Sequence, residues 1–356
     1  MIKLLHAADL HLGSPITGRT EAQAGFLRRE LGKVPGKLAD LCRAESCDLV
    51  LLAGDIFDGI PTPAEVQNLK QALAEMAVPV FITPGNHDPL GSGSPWDGAW
   101  PENVTVFRSQ IPECVALPGK DWAVYGAAFR GREASSLLAG FRADDDRKYH
   151  IGVFHGDPTQ GSSPYNPITA AQVQTSGLHY LALGHIHKGG SIRAGETLCA
   201  WPGCPMGRGY DEDGEKGVLI VQIGDTVSTR FVPLDVPRFY DLEVRVEGDP
   251  AQAIANLLPP GGNDNFYRLT LTGAADTPDL RALAAEFSRF PNLELRDRTQ
   301  PCRDLWETEG TDTLEGVFFR KLKEAMSAAN DEESRRILLA AKLARAILDG
   351  QEVVLP

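Results

Sequence analysis

The chain has 356 residues, 42% of them hydrophobic and 23% charged, with a net charge of −13. Such a length and balance imply a globular protein of two or three structural units with ample material for a core. The acidity argues against broad, sequence-independent adhesion to nucleic acid, which needs Lys and Arg against phosphate. It leaves room for an enzyme that draws its local positive charge from metal ions or a partner subunit. No apolar run reaches the ~18 residues of a membrane span, and the opening Met1 to Asp9 has no signal-peptide layout. No membrane association and a cytoplasmic location are therefore expected. The six cysteines, Cys42, Cys47, Cys114, Cys199, Cys204 and Cys302, fit reduced, mostly buried thiols. The CxxxxC spacing of Cys42/Cys47 and Cys199/Cys204 is wider than a zinc-knuckle pair.

In chain order, Ile2 to Ala8 reads as a strand buried on both faces. Thr20-Glu21-Ala22-Gln23 is a capping box that opens a helix, interrupted at Pro35 and resuming to about Ser46. Asp48 to Ala53 is a second buried strand. Thr62-Pro63-Ala64-Glu65 caps a helix to about Ala77, and Val78 to Thr83 is a third strand. This alternation predicts an α/β fold with a largely parallel core. Short strands with Pro/Gly turns follow from Val104 to Phe129, then a helix near Arg132 to Phe141. Asp144-Asp145-Asp146 reads as a solvated turn. Tyr149 to Phe154 is a strand, Thr169 caps a short helix, and His179 to Leu183 is another strand. Thr197 to Trp201, Gly217 to Ile223 and Val227 to Val232 read as antiparallel strands, closing a first domain at residues 1–236.

A small β-α-β-α-β unit is expected over 237–300. Its strands are Tyr240 to Val246, Phe266 to Thr272 and Leu293 to Arg298, with helices opened by Asp249-Pro250 and Thr277-Pro278. It contains no histidine and is expected to cap or guide a substrate. The segment 301–356 reads as two helices broken at Asn330-Asp331. The apolar stripes Leu314, Val317, Phe318, Leu322 and Ile337, Leu338, Ala341, Ala344 fall at helical spacing. They fit either packing on the parent domain or a hairpin that docks a partner.

The polar motifs cluster just after the apolar runs. They are Asp9-Leu10-His11, Gly54-Asp55-Ile56-Phe57-Asp58, Gly85-Asn86-His87-Asp88, His155-Gly156 and Gly184-His185-Ile186-His187. Five of the eight histidines of the chain lie in these loops. In open α/β sheets, ligands bind beyond the carboxyl ends of the strands, where the first three motifs fall. Asp, Asn and His donors on separate loops suit Mn²⁺, Fe²⁺ or Zn²⁺ better than Ca²⁺ or Mg²⁺. Asp9, His11, Asp55, Asn86, His155, His185 and His187 are too many donors for one tetrahedral site. They suit two divalent metals sharing a carboxylate, an arrangement that serves phosphoryl displacement. On an extended loop, Asp9 and His11 would point one way, as would His185 and His187. His6, His150 and His179 lie in or beside strands and read as structural. No GxxxxGK[ST] is present, and Gly91-Ser92-Gly93 is followed by neither a helix start nor a lysine, so no phosphate loop is expected.

In this order the motifs resemble the calcineurin-like metallophosphoesterase family. The resemblance implies a β-sandwich flanked by helices, with a small α/β cap and a helical C-terminal tail. It implies one metal at Asp9, His11, Asp55 and His187 and a second at Asp55, Asn86, His155 and His185, with Asp55 bridging. His87 would stabilise the transition state or protonate the leaving oxygen, oriented by Asp58, although related nucleases more often carry His at that position. Within the family, His6 to Pro15, Tyr165-Asn166-Pro167-Ile168, Tyr180 to Lys188, Trp201-Pro202-Gly203 and Gly214-Glu215-Lys216-Gly217 resemble the SbcD-type DNA repair exonucleases, in their YhaO-like branch. This likeness spans about residues 1–235, and only the layout carries it further. It implies a Mn²⁺-dependent DNA exonuclease or endonuclease, dimeric, with an SbcC-type SMC-like ATPase as partner. Arg19, Lys188, Arg193 and Arg208 are candidates for holding substrate phosphates. A phosphodiesterase for cyclic nucleotides or nucleotide-sugar lipids is the alternative, and it would need only the first domain. A non-catalytic scaffold is countered by the intact ligand set and His87.

Overall fold

The computed structural model describes residues 1–273, 278–299 and 305–348. The helix start expected at Thr277 and the thiol of Cys302 lie outside the described residues. Contacts divide the chain into two units. The first holds residues 1–242, 261–269 and 287–294, and the second holds 243–260, 270–286 and 295 onward.

The first unit begins with β1 (Ile2–Ala7), whose side chains are almost all buried. Helix α1 (Glu21–Ala44) opens on the expected capping box, in which Thr20 Oγ1 accepts from Gln23 N and Thr20 N donates to Gln23 Oε1, both at 3.3 Å. The interruption expected at Pro35 does not occur, and α1 runs through it. A mid-helix proline costs roughly 3 kcal/mol. Burial of Leu27, Leu31, Val34, Pro35, Leu38 and Cys42 along one face offsets that cost. Strand β2 (Leu49–Ala53), helix α2 (Pro63–Glu75) and strands β3 (Val80–Thr83) and β4 (Val104–Val106) follow. Strands β5 (Glu113–Ala116), β6 (Trp122–Gly126) and β7 (Tyr149–His155) come next.

The helix expected near Arg132 to Phe141 is absent, and the segment is bends and a turn. Its backbone groups are engaged elsewhere. Leu137 N donates to Asn166 Oδ1 at 2.7 Å, and Ala134 bridges to Tyr165. Helix α3 (Ala170–Thr175) carries its capping box at Thr169. Strands β8 (Tyr180–Gly184), β9 (Lys188–Ala194), β10 (Thr197–Gly203), β11 (Gly217–Ile223) and β12 (Val227–Pro233) complete the unit's two large sheets. The polar edge strand β9 was not expected, because Gly189-Gly190-Ser191 has no apolar alternation. Strand β10, expected as antiparallel alongside β11 and β12, lies in the other sheet from them, antiparallel to the unexpected β9 and parallel to β8.

The sheets have six strands each, ordered β12-β11-β1-β2-β3-β4 and β5-β6-β7-β8-β10-β9. In the first, β1 to β4 are parallel and β11 is antiparallel to β1, with Leu5 beside Val50 on one side and Ile220 on the other. Leu4, Leu51, Phe81, Ile151, Val153 and Ala182 fill the space between the sheets. The outer face of the first sheet is covered by the apolar stripes of α1 and α2, including Leu27, Leu31, Leu69 and Leu73. Val173 of α3 lies in the core on the outer face of the second. The result is a helix-flanked β-sandwich, as the sequence led us to expect. Strands β1, β2 and β3 of the first sheet and β7 and β8 of the second end at the polar loops.

In addition to these sheets, β13 (Phe239–Arg245), β14 (Phe266–Thr272) and β15 (Leu293–Asp297) form a three-stranded sheet in that order. Helix α4 (Pro250–Leu257) is capped by Asp249, and α5 covers Leu280–Glu286. In the second unit, α6 (Leu314–Ala328) and α7 (Asp331–Leu348) form a helical pair broken where expected. The Arg345 guanidinium lies 4.2 Å from the Phe319 ring centre and pairs with Glu315. No helix among the described residues is long and apolar enough to cross a membrane.

Candidate metal centre

Five strand ends deliver the polar loops to one place. The β1 and β2 loops are laced together by Asp9 N to Gly54 O at 3.0 Å, His11 N to Asp55 O at 3.0 Å and Leu12 N to Ile56 O at 2.9 Å. The backbones of Asp9 (φ 54°), His11 (φ 49°), Asp55 (φ 49°) and His185 (φ 101°) lie in the left-handed region. Side chains other than Gly rarely adopt this conformation, and it persists only where surrounding contacts enforce it. Asp9 and His11 therefore converge through two left-handed residues and not through the extended alternation expected. At Gly54 (φ 82°), an added Cβ would overlap the His155 ring, so this glycine is needed for both its backbone angle and its lack of side chain.

Asp88 anchors the third loop. Its Oδ2 accepts from Ile56 N at 2.8 Å and Phe57 N at 3.1 Å, and its Oδ1 accepts from Gly85 N at 2.7 Å. Burial raises its pKa to about 7. Asn166 braces the fourth loop, with Nδ2 donating to His155 O at 2.7 Å. The Tyr165 ring lies 5.0 Å from that of His185.

All seven candidate ligands are brought together, in two adjoining groups. Ligand atoms of Asp9, His11 and His187 lie within 4.8 Å of one another, as do those of Asp55, His155 and His185. Asn86 Oδ1 is 2.9 Å from His155 Nε2 and 3.2 Å from His185 Nδ1. Asp55 Oδ2 lies 3.2 Å from His155 Nε2 and 4.0 Å from His11 Nε2, between the two groups. His11 Nε2 and His187 Nε2 face each other at 3.1 Å.

The electrostatics of the bare cluster are unfavourable. Burial raises Asp9 to about 6 and lowers His185 to about 4, and burial with Arg208 lowers His11 to about 3. His155 is lifted to about 9 because Asp55 and Asp9 outweigh the opposing effect of burial. Asp9 Oδ1 and Oδ2 also accept from His185 N at 2.9 and 3.1 Å. Acidic oxygens and imidazole nitrogens aimed at common points in a buried pocket fit divalent cations, which neutralise the carboxylates and accept the imidazole lone pairs.

His87 stands beside this cluster, with its ring centre 4.9 Å from that of His11. Its N donates to Asp55 Oδ1 at 2.8 Å, and its Nδ1 lies 3.0 Å from Asp58 Oδ1. The Asp58 hydrogen bond raises the His87 pKa. Of the basic candidates, Arg208 is tied to Asp58 and Glu212. Arg19 lines a groove of about 590 Å³ with Asp58 and Arg208, its guanidinium 4.7 Å from the Tyr210 ring centre. Lys188 is exposed beside His187. Arg193 instead donates to Val227 O at 3.0 Å. His6 is fully buried and bonded to Tyr180 Oη and Leu183 O, while His150 N donates to His179 Nδ1 at 3.1 Å and His179 N to His150 O at 2.8 Å. Asp144 and Asp146 are exposed.

The sequence reading missed Glu212, a buried carboxylate 2.6 Å from His187 Nδ1. It sits in the acidic run Asp211-Glu212-Asp213, which has the pattern of a solvated turn. Asp88 and Asn166 stood in the quoted motifs without a role, because they bear on the site through the backbone groups their side chains hold.

A model of the calcineurin-like phosphoesterase family matches residues 2–189, more than half of the chain. The chain is 34% identical over 235 residues to the uncharacterized metallophosphoesterase YhaO of Bacillus subtilis, a match covering 62% of this chain and 57% of that protein. The chain thus spans little more than half the length of YhaO. It is 24% identical over 318 residues to the SbcD component of the SbcCD nuclease of Staphylococcus epidermidis, covering 78% of this chain and 81% of that one. It is 34% identical over 309 residues to the corresponding SbcCD nuclease component of Rhodobacter capsulatus, covering 66% and 70%. With the family's motifs gathered at one buried centre and its model matched across both sheets, the chain belongs to the calcineurin-like phosphoesterase family.

Proposed function

We propose that this protein is a Mn²⁺-dependent nuclease that hydrolyses DNA phosphodiester bonds, in cytoplasmic DNA repair. The convergence of Asp9, His11, Asp55, Asn86, His155, His185 and His187 beside His87 carries the phosphodiesterase reading. DNA as substrate is supported by similarity to nuclease components that extends over 318 residues, well past the matched family domain. We assign Asp9, His11, Asp55 and His187 to one cation and Asp55, Asn86, His155 and His185 to the other. When bound, the cations supply Lewis-acid stabilisation of the charge that builds on the phosphate.

The remaining work falls to this chain's own groups. Asp58 holds His87 through Nδ1, which leaves Nε2 to carry the proton that passes to the leaving oxygen. Arg19 and Lys188 flank the centre and would hold neighbouring phosphates. The apolar side chains of α6 and α7 include Leu314 at 90% exposed and Ile347 at 65% exposed. This patch suits docking of the coiled-coil root of an SMC-like ATPase. In that assembly two copies of the chain would work with an ATPase that supplies ATP hydrolysis and much of the DNA grip.

The test is incubation of the purified protein with Mn²⁺ and end-labelled linear duplex DNA, beside a cyclic nucleotide and an aryl phosphodiester, with His87→Ala as control. Shortening of the DNA that disappears in the variant is the expected result. Turnover of the small esters alone, with and without the partner ATPase, would move the substrate to a small molecule.

A further inference from the structure

Two side chains outside the expected ligand set join the metal centre to His87. Glu212, in the short helical turn Tyr210–Glu212, is buried. Its Oε1 accepts from His187 Nδ1 at 2.6 Å and from Arg208 Nη2 at 2.7 Å. Its Oε2 accepts from Arg208 N at 2.7 Å and Nε at 3.3 Å. At the other end of the same guanidinium, Nη1 donates to Asp58 Oδ2 at 3.2 Å. The opposite oxygen of Asp58 accepts from His87 Nδ1 at 3.0 Å. A continuous path thus runs from His187 through Glu212, Arg208 and Asp58 to His87.

We propose that Arg208 and Glu212 are positioning residues that set the ring orientations of the ligand His187 and, through Asp58, of the proton donor His87 as one unit. The inference rests on the phosphodiesterase reading of the site and is independent of whether DNA is the substrate. An imidazole that donates Nδ1–H to a carboxylate is held in one tautomer, with the Nε2 lone pair facing the metal position. The Nε2 of His187 does face the candidate centre, 3.1 Å from His11 Nε2. The Arg208 side chain is only 17% exposed, and its guanidinium is spent on two carboxylates. Little of it remains for a substrate phosphate. The planar fork can reach Glu212 and Asp58 together, whereas a lysine ammonium is a single point charge that can serve only one of them.

The test compares Arg208→Lys, Glu212→Gln and the double variant with the parent protein. Mn²⁺ affinity of the metal-free proteins is read by calorimetric titration, which needs no turnover. The kcat and KM for an aryl phosphodiester are measured separately. Each single variant should lose about 10–100-fold in Mn²⁺ affinity and a similar factor in kcat, with KM within about twofold. The double variant should be little worse than either single one, because the pair acts as a unit. Thermal unfolding accompanies each variant. If Glu212→Gln does not fold, Arg208→Lys alone decides the matter. A raised KM with kcat and Mn²⁺ affinity unchanged would make Arg208 a substrate-binding group and overturn the proposal. Independent, multiplicative losses in the double variant would overturn it as well. A parent protein that binds Mn²⁺ but turns over neither DNA nor aryl ester would refute the phosphodiesterase reading, while the Mn²⁺ titrations would still decide the Glu212–His187 part.

Discussion

Replacing Gly156 with Ala should damage the site without altering a single candidate ligand. The new Cβ would sit 2.5 Å from Asn166 O, 2.6 Å from its Nδ2 and 2.9 Å from its Cγ. Ordinary contact begins near 3.4 Å, so something must yield by about 0.9 Å. Asn166 is poorly placed to do so. It is fully buried, its φ is 50°, its N donates to Ala134 O at 2.8 Å, and its Oδ1 accepts from Leu137 N at 2.7 Å. Its Nδ2 also holds His155 O at 2.7 Å. Overpacking a tight core costs about 1–3 kcal/mol, and a neighbour locked on every side puts this case near the upper end, at about 3 kcal/mol. Displacing the brace of His155 should also weaken Mn²⁺ binding by roughly tenfold or more. Urea unfolding of the metal-free protein reads the first quantity and calorimetric titration the second. An unfolding free energy within about 0.5 kcal/mol of the parent, with unchanged Mn²⁺ affinity, would refute the reasoning.

Three further outcomes are expected. Adding Mn²⁺ to chelator-stripped protein should raise its unfolding free energy by about 2.7 kcal/mol at a hundredfold excess over Kd. No stabilisation at millimolar Mn²⁺ would exclude the two-cation centre. His87→Ala should lower phosphodiester turnover by roughly 10²–10⁴-fold while leaving Mn²⁺ affinity within a few-fold, since His87 is not among the proposed ligands. A large fall in affinity would instead make it one. His6, lowered to about 3 by burial, stays neutral in the folded protein at a pH where the unfolded chain, with an ordinary pKa near 6.5, takes up a proton. Stability should therefore fall as pH drops below about 6.5, by up to about 1.4 kcal/mol per unit, until the folded group also titrates near 3. His6→Gln can still bond Tyr180 and Leu183 but cannot titrate, so its urea midpoint should depend less steeply on pH between 6 and 4. Equal slopes would remove His6 from the acid response.

The sequence alone determined the secondary-structure layout wherever the local chemistry was self-sufficient. The capping boxes at Thr20, Thr62 and Thr169 satisfy helix N-termini with residues three apart. The short, largely apolar runs in β1, β2 and β8, each ending at a Gly or Asp, suit buried strands better than helices. It also determined the set of candidate ligands, because Asp, Asn and His recurring straight after such strands bring metal-binding chemistry to the same end of a sheet.

Tertiary contacts decided the rest. α1 continues through Pro35 because its buried face outweighs one lost hydrogen bond, a balance no local pattern reveals. Residues 132–141 forgo a helix because Asn166 and Tyr165, far along the chain, take their backbone groups. The left-handed backbones of Asp9, His11, Asp55 and His185 are imposed by hydrogen bonds between loops. In sequence Glu212 looks like an ordinary surface charge and Arg208 like a candidate phosphate holder. Only folding buries them between His187 and Asp58, since a carboxylate and a guanidinium acquire their roles from the partners they meet on losing water.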